Sequence, residues 1–405
     1  MSASRIPNCR STRGLPLLAL ALSISWLGAC SGPDDHSDDP RPGDADTTPG
    51  ALVIIGGGLS ADNEDVYRAI LDRRAGDGPL CVIPTAGASP ESSMEGAVGR
   101  IDRWGGEGTA RGLLLHLEEP EAADLPATAE AIRECSGYFF TGGVQSRILD
   151  YFLPEGRETP AYAALLERFR SGAVVSGSSA GAAMMSDPMI AGGSSEGAFE
   201  HGLALDGDED GVRIRPGMGF ISGATFDQHF LARGRIGRLL IAVAGPSGAE
   251  WGAGIDEDTA LILEEGRARV AGASGVVMVD GRGVSPVEHP AEVRGLTVEL
   301  VGPGDEIDLA SFSVTPAPDR TPIGAARDAG FDPVGDELFE RWAFLHLVQA
   351  LGADERESWS TELHGYRIEL RKLPGFRAVA SDVEGVEGTP LGLSVGPFEV
   401  NLAPL

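Results

Sequence analysis

Positive charge is scarce in this chain. Its 405 residues carry 61 acidic and 32 basic side chains, a formal net charge of −29, and Lys372 is the one lysine of the basic set. Such a surface repels phosphate, which excludes nucleic acid or an anionic membrane surface as the main partner. Long hydrophobic runs are missing too. A mostly apolar stretch from Leu17 to Leu27 is too short and too close to the N-terminus for an ordinary membrane span. Cysteine is sparse, with four in all, and their spacing forms no metal-binding pattern. No internal repeat is present.

What the N-terminus does contain is an export pattern. Arg5, Arg10 and Arg13 precede the apolar stretch, and no acid occurs before Cys30. The stretch ends Leu27-Gly-Ala-Cys30, which resembles a bacterial lipobox with Cys30 as the lipidated first residue of the mature chain. An ordinary signal peptide or an uncleaved anchor is the alternative. Residues 1–29 are thus read as a lipoprotein signal peptide. Residues 30–50, rich in Asp, Pro, Gly, Ser and Thr, read as a disordered acidic tether. Ser31 after the cysteine resembles lipoproteins sent on to the outer membrane, on its periplasmic or cell-surface face. The membrane contact is then through the N-terminal lipid only. Cys9 leaves with the signal, so Cys81 and Cys135 remain. We read them as buried free thiols, with a disulfide as the alternative that an oxidising compartment allows.

The folded part opens at Ala51-Leu-Val-Ile-Ile55, a continuous apolar run of the kind buried in a parallel sheet. Further strands are expected at Leu80–Ile83, Leu113–Leu115, Tyr138–Phe140 and Gly172–Val175. Helical patterns lie around Val66–Leu71, at Ser92–Trp104 and at Ala127–Glu134. This alternation predicts an α/β fold with a doubly wound, mostly parallel sheet and sites at its C-terminal strand ends. Glycine turns at 56–58, 142–143 and 177–181 would gather on that edge. Past Gly245, short pieces at Gly254–Leu263, Arg267–Ala271 and Gly275–Val279 predict a β-hairpin or meander closing the sheet edge. The catalytic region is taken as 51–285. Residues 286–405 form a C-terminal β-rich extension of unassigned role, with one amphipathic helix at Glu337–Leu351.

The chemistry centres on Ala173-Val-Val-Ser-Gly177-Ser-Ser179-Ala-Gly181. A strand running into Gly-x-Ser-x-Gly and then a small-residue helix is a nucleophile elbow, which presents a serine at the tip of a sharp turn. Unpaired N–H groups of the following helix can hold an oxyanion. Ser179 is the central residue and Ser178 the second choice. A serine needs a base. His36 lies in the tether, and His116, His289, His346 and His364 lack a catalytic setting. His229, in Phe226-Asp-Gln-His-Phe230 followed by Arg233, Arg235 and Arg238, stands in an unusual density of polar groups. His201 is the reserve.

Four blocks, Phe140-Thr-Gly-Gly143, Gly177-Ser-Ser-Ala-Gly181, Asp227-Gln-His-Phe through Arg238, and Gly254-Ile-Asp-Glu-Asp-Thr-Ala260, resemble the signature of the cyanophycinases. These belong to the serine peptidase family that also contains the aspartyl dipeptidases. The resemblance covers roughly residues 50–280. It implies Ser179 as nucleophile, His229 as general base and Glu257 as the acid that orients it. Asp256 and Asp258 flank Glu257, and strand alternation would put them on the opposite face. The N–H groups of Gly143 and Ala180 are implied as the oxyanion hole, and Gln145, Asp227, Gln228, Arg233, Arg235 and Arg238 as substrate contacts. One departure stands out: Val144 takes the place of the family's usual Asp.

The resemblance implies hydrolysis of cyanophycin, multi-L-arginyl-poly-L-aspartate, to β-aspartyl-arginine dipeptides through an acyl-enzyme, without metal or organic cofactor. It also implies a homodimer, which nothing else in the sequence supports. A related serine peptidase acting on another aspartyl or isoaspartyl peptide is the second reading. A non-catalytic ligand-binding lipoprotein is the third.

Overall fold

The computed structural model describes residues 49–204, 210–288, 292–324 and 331–405. The signal peptide, Cys30 and nearly all of the tether lie outside the described residues. Five short parallel strands build the first half: β1 (Leu52–Ile55), β2 (Leu80–Ile83), β3 (Ala110–Gly112), β4 (Gly137–Phe140) and β5 (Val174–Ser178), in the sheet order β1-β5-β4-β2-β3. Side chains alternate across this sheet. Leu52 and Ile54 pack with helices α3 (Pro126–Arg133), α4 (Gln145–Phe152) and α5 (Pro160–Arg170) on one face. Val53 and Ile55 pack with α1 (Glu64–Leu71) and α2 (Pro90–Gly105) on the other. Both faces are covered, which is why β1, β2 and β4 read as unbroken apolar runs. The third strand begins three residues earlier than expected, and Leu113–Leu115 follow it.

Cys81 in β2 and Cys135, two residues before β4, form a disulfide with their Cα atoms 5.8 Å apart. This corrects the free-thiol reading. The two strands are adjacent, with Leu80 in register with Gly137, and this sheet neighbourhood brings the cysteines within bridging reach. Neither spacing nor strand order in the sequence reveals it.

A short helix, α6 (Ala180–Ala183), follows β5, and small elements connect it to the second half: β6 (Ser186–Asp187), β7 (Met189–Gly192), α7 (Ser195–His201), β8 (Leu203–Ala204), β9 (Val212–Arg215) and β10 (Ile221–Ser222). The pieces expected as a hairpin or meander then divide between two sheets, with a hairpin on the first. β11 (Ala224–Gln228), α8 (Ile236–Ala244), β12 (Trp251–Ile255), β13 (Thr259–Glu264), β14 (Arg267–Gly272) and β15 (Val276–Asp280) follow in the chain. β13 pairs antiparallel with β1, and β14 pairs with β13, so the first sheet is mixed rather than mostly parallel. β11, β12 and β15 instead start a second sheet, in which β11 and β12 run parallel.

That second sheet runs on across residue 285. β16 (Val293–Val301) pairs with β15. Beyond β17 (Glu306–Asp308), β18 (Ser313–Thr315) and β19 (Thr321–Pro322) comes α9 (Ala343–Ala353), then β20 (Ser358–Leu363), β21 (Tyr366–Ala380) and β22 (Ser394–Pro404). The sheet order is β11-β12-β15-β16-β22-β21-β19. The helix expected over Glu337–Leu351 is broken into a 3-10 turn, Gly335–Phe339, and α9, separated by Trp342 at φ 64°.

Candidate active site

Ser179 joins β5 to α6 at φ 56°, ψ −111°, a conformation that a residue with a Cβ adopts only under constraint. The constraint is the close packing of the glycines around it. A Cβ on Gly181 would lie 2.4 Å from the Phe140 carbonyl oxygen, and one on Gly177 would lie 2.3 Å from that of Gly181. The Ser179 N–H donates to the Ile55 carbonyl at 2.9 Å, which ties the turn to β1. Ser178 is the last residue of β5, in register with Ile55.

His229 and Glu257 come from the other sheet. They follow the ends of the adjacent parallel strands β11 and β12, whose last residues, Gln228 and Ile255, are partners in register. The site therefore sits where the C-terminal edges of two sheets meet. Ser179 Oγ lies 2.9 Å from His229 Nε2, and His229 Nδ1 lies 2.6 Å from Glu257 Oε1. His229 itself stands at φ 50°, and its N–H donates to the Gly56 carbonyl at 2.6 Å. Gly57, at φ 108°, lies flat against the imidazole: a Cβ there would be 2.4 Å from Nε2. The Gly56–Gly58 turn is thus the bed of the histidine, a role not assigned from sequence. Its signal was there, as three glycines directly after a buried strand.

Burial pulls the His229 pKa below its ordinary value of 6.5. The hydrogen bond to Glu257 opposes this, and the positive charge of Arg233 reinforces it. The imidazole is consequently neutral at pH 7 and able to accept a proton.

The acid next to the histidine is Glu257, but not by strand alternation. Residues 256–258 form the turn between β12 and β13, so a strand argument does not apply. Asp256 is fully buried. It accepts from the Ala232 N–H at 2.9 Å and the Ser274 hydroxyl at 2.7 Å, and burial pushes its pKa up to about 6. Asp258, at φ 52°, accepts from the Ser60 N–H and the Asn63 amide, both at 2.8 Å. Each neighbour is committed elsewhere.

The expected substrate contacts divide into two groups. Asp227 and Arg238 are buried against each other: Arg238 Nε donates to Asp227 Oδ2 at 2.6 Å and Nη2 donates to Oδ1, while Nη1 reaches the Gly193 carbonyl at 2.6 Å. Their side chains are 4% and 1% exposed for Arg238 and Asp227, so this ion pair is buried. Arg235 lies above this pair, donating to Asp227 Oδ1 at 3.4 Å and to the Gln228 carbonyl. Its pKa falls to about 10, chiefly through burial, and the neighbouring Arg238 and Arg233 charges add to the shift. Arg233 is exposed, and among the described residues it has no ion-pair partner. Gln228 Oε1 lies 3.3 Å from Ser179 Oγ, and Gln145 Nε2 donates to the Ile190 carbonyl at 3.0 Å.

Across from the serine, the Thr141–Gly143 turn follows β4. A Cβ on Gly142 would come within 3.3 Å of that of Ser179. Gly143, at φ 148°, therefore lies one residue from contact with the serine, and Ala180 opens the helix directly behind it. Val144 precedes α4 and is 49% exposed. His201 is at the far end of α7, beside Glu200, and is not joined to Ser179.

The chain is 30% identical over 281 residues to the cyanophycinase of Trichormus variabilis, a match that spans 67% of this chain and 89% of that one. It belongs to the cyanophycinase family. The cyanophycinase of Synechococcus elongatus is 31% identical over 284 residues, covering 65% of this chain and 81% of the relative. No family model matches. A peptidase from an acI-B1 Actinobacterium, of known structure, is 21% identical, covers 58% of this chain and 92% of its own, and superposes with a TM-score of 0.45. Like its cyanophycinase relatives, the chain is a serine-type peptidase.

Proposed function

We propose that this cyanophycinase-family chain hydrolyses cyanophycin, with Ser179 as nucleophile, His229 as general base and Glu257 as its orienting acid. The observation that carries this is the unbroken hydrogen-bonded series from Ser179 Oγ through both imidazole nitrogens to Glu257 Oε1. Ser179 Oγ attacks a main-chain aspartyl carbonyl while its proton passes to His229 Nε2. The imidazolium, steadied by Glu257, then gives that proton to the departing amine as the C–N bond breaks. Water, deprotonated by the same nitrogen, cleaves the acyl ester and regenerates Ser179. The N–H groups of Gly143 and Ala180 hold the oxyanion in both steps. The product is the β-aspartyl-arginine dipeptide.

The polymer presents carboxylates along its backbone and a guanidinium on each branch. Exposed, and without an ion-pair partner among the described residues, Arg233 takes a carboxylate. Arg235 assists with a planar fork held by Asp227, while Gln145 and Gln228 supply neutral contacts.

Val144 favours a second reading. An exposed apolar side chain stands next to Gly143 where the family's usual residue is a carboxylate, and this suits another aspartyl or isoaspartyl peptide. Incubation with purified cyanophycin and, separately, with aspartyl dipeptides decides between them. Release of β-aspartyl-arginine from the polymer supports the first reading; cleavage of the small peptides alone overturns it.

Export as a lipoprotein through Cys30 belongs to the same proposal, and the Cys81–Cys135 disulfide suits an oxidising compartment. Wild-type protein should fractionate with membranes, and Cys30→Ser should yield soluble or unprocessed protein. Soluble wild-type protein with an unmodified N-terminus would overturn it.

A further inference from the structure

The region after residue 285 lies beyond the blocks that carry the family resemblance, yet part of it presses directly on the arginine turn. The Trp342 N–H donates to the Leu231 carbonyl at 2.8 Å. Gly234 ends the short 3-10 turn Leu231–Arg233 at φ 57°, and a Cβ on it would lie 1.8 Å from the Phe339 carbonyl oxygen. On the next turn, a Cβ on Gly237 would come within 2.8 Å of the Phe339 ring. Ser195 Oγ, at the start of α7, donates to the Gly234 carbonyl at 2.7 Å. Phe339 and Trp342 are both buried, and the Phe339 ring centre is 5.5 Å from that of Phe199 in α7. The stretch that carries Arg233 and Arg235 is thus held by both α7 and the C-terminal region. Only glycine at 234 allows so close an approach.

We propose that residues 335–345 are a positioning element of the site, in which Phe339 and Trp342 hold the 231–238 turn so that Arg233 and Arg235 stay beside His229. The inference rests on the proposed hydrolase reading and deepens it: the C-terminal region sets substrate affinity without touching substrate. Ser179 and Glu257 hang from other strands, so a loosened turn costs binding more than chemistry.

Two substitutions disturb the contact from its two sides, Phe339→Ala by emptying it and Gly234→Ala by wedging it open. Phe376→Ala serves as control, since its ring packs on Phe398, 5.1 Å between centres, elsewhere in the C-terminal region. The measurements are Tm, KM and kcat on purified cyanophycin, and the rate at which an uncharged fluorophosphonate labels Ser179. Both contact variants should raise KM by about 10-fold or more, the loss of a charge-assisted contact. Labelling should stay within about 3-fold of wild type, and Phe339→Leu should restore most of the KM. A KM change in Phe339→Ala no larger than in Phe376→Ala, at equal loss of Tm, overturns the proposal. If wild-type protein is labelled but leaves cyanophycin intact, the substrate reading fails by itself. Amide hydrogen exchange over residues 229–238 then decides: faster exchange in Phe339→Ala than in Phe376→Ala upholds the positioning role, and equal exchange overturns it.

Discussion

The Arg238 guanidinium grips both carboxylate oxygens of Asp227, and neither side chain reaches solvent. This fork is the floor of the arginine turn, with Arg235 held above it by the same carboxylate. Breaking one partner of a buried pair strands the other charge, which typically costs about 3–5 kcal/mol. Asp227→Asn should therefore lower the unfolding free energy by about that amount, read from urea denaturation. An apolar double replacement, Asp227→Leu with Arg238→Met, should recover much of the loss. A stable Asp227→Asn that merely binds substrate less well would return Asp227 to the substrate-contacting set.

Ser179→Ala should abolish hydrolysis with the fold intact, a loss of ~10⁴-fold or more, and Ser178→Ala should not. His229→Ala should match it. Among the three acids of the 256–258 turn, only Glu257 reaches the imidazole. Glu257→Gln should accordingly slow turnover with little change in Tm. Asp256→Asn, which weakens the bonds to Ala232 and Ser274, should instead lower Tm. Rates and melting curves on the two acid variants separate the roles. Full activity in Glu257→Gln would remove it from the mechanism.

The pH dependence follows from His229. It works as a base only when neutral, and its pKa lies below 6.5 because burial and the Arg233 charge disfavour the cation. Activity should persist as pH falls through 6.5, with the acid limb of kcat/KM inflecting below that value. Arg233→Ala removes a repelling cation, so the limb should move to higher pH. Glu257→Gln removes an attraction that favours the cation, so the limb should move lower. An acid limb above 6.5 in the wild-type enzyme would mean that another group governs it.

Much of the site was legible in the sequence because its parts are local. The strand, the glycines and the small-residue helix around Ser179 are consecutive. His229 announces itself through the polar residues packed beside it. What was not legible depends on which strands become neighbours. Cys81 and Cys135 are 54 residues apart and meet only because β2 and β4 are adjacent. The division of the pieces after Gly254 between two sheets places Glu257 beside His229, and nothing in the local pattern distinguishes β12 from β13. The buried pairing of Asp227 with Arg238 was hidden too: a polar residue in a motif looks the same whether it faces a substrate or an interior partner.

Val144 and Arg235 together test what the enzyme recognises. Arg235→Lys keeps the charge but removes the planar fork, of which Nη1 reaches both Asp227 and the Gln228 carbonyl. If the fork orients a carboxylate of the polymer, Arg235→Lys should weaken kcat/KM on cyanophycin by ~10-fold, about 1.4 kcal/mol. Val144→Asp places a carboxylate at an exposed position beside Gly143 and should have the opposite effect, because the branch guanidinium of cyanophycin gains a partner. A fall in KM with kcat unchanged is the expected signature of added binding. Should Val144→Asp create polymer hydrolysis that the natural protein lacks, the natural substrate is another aspartyl peptide and Val144 is what excludes cyanophycin. If both substitutions leave the polymer kinetics unchanged, neither residue lies in the binding groove, and the substrate assignment falls even with the Ser179–His229–Glu257 series intact.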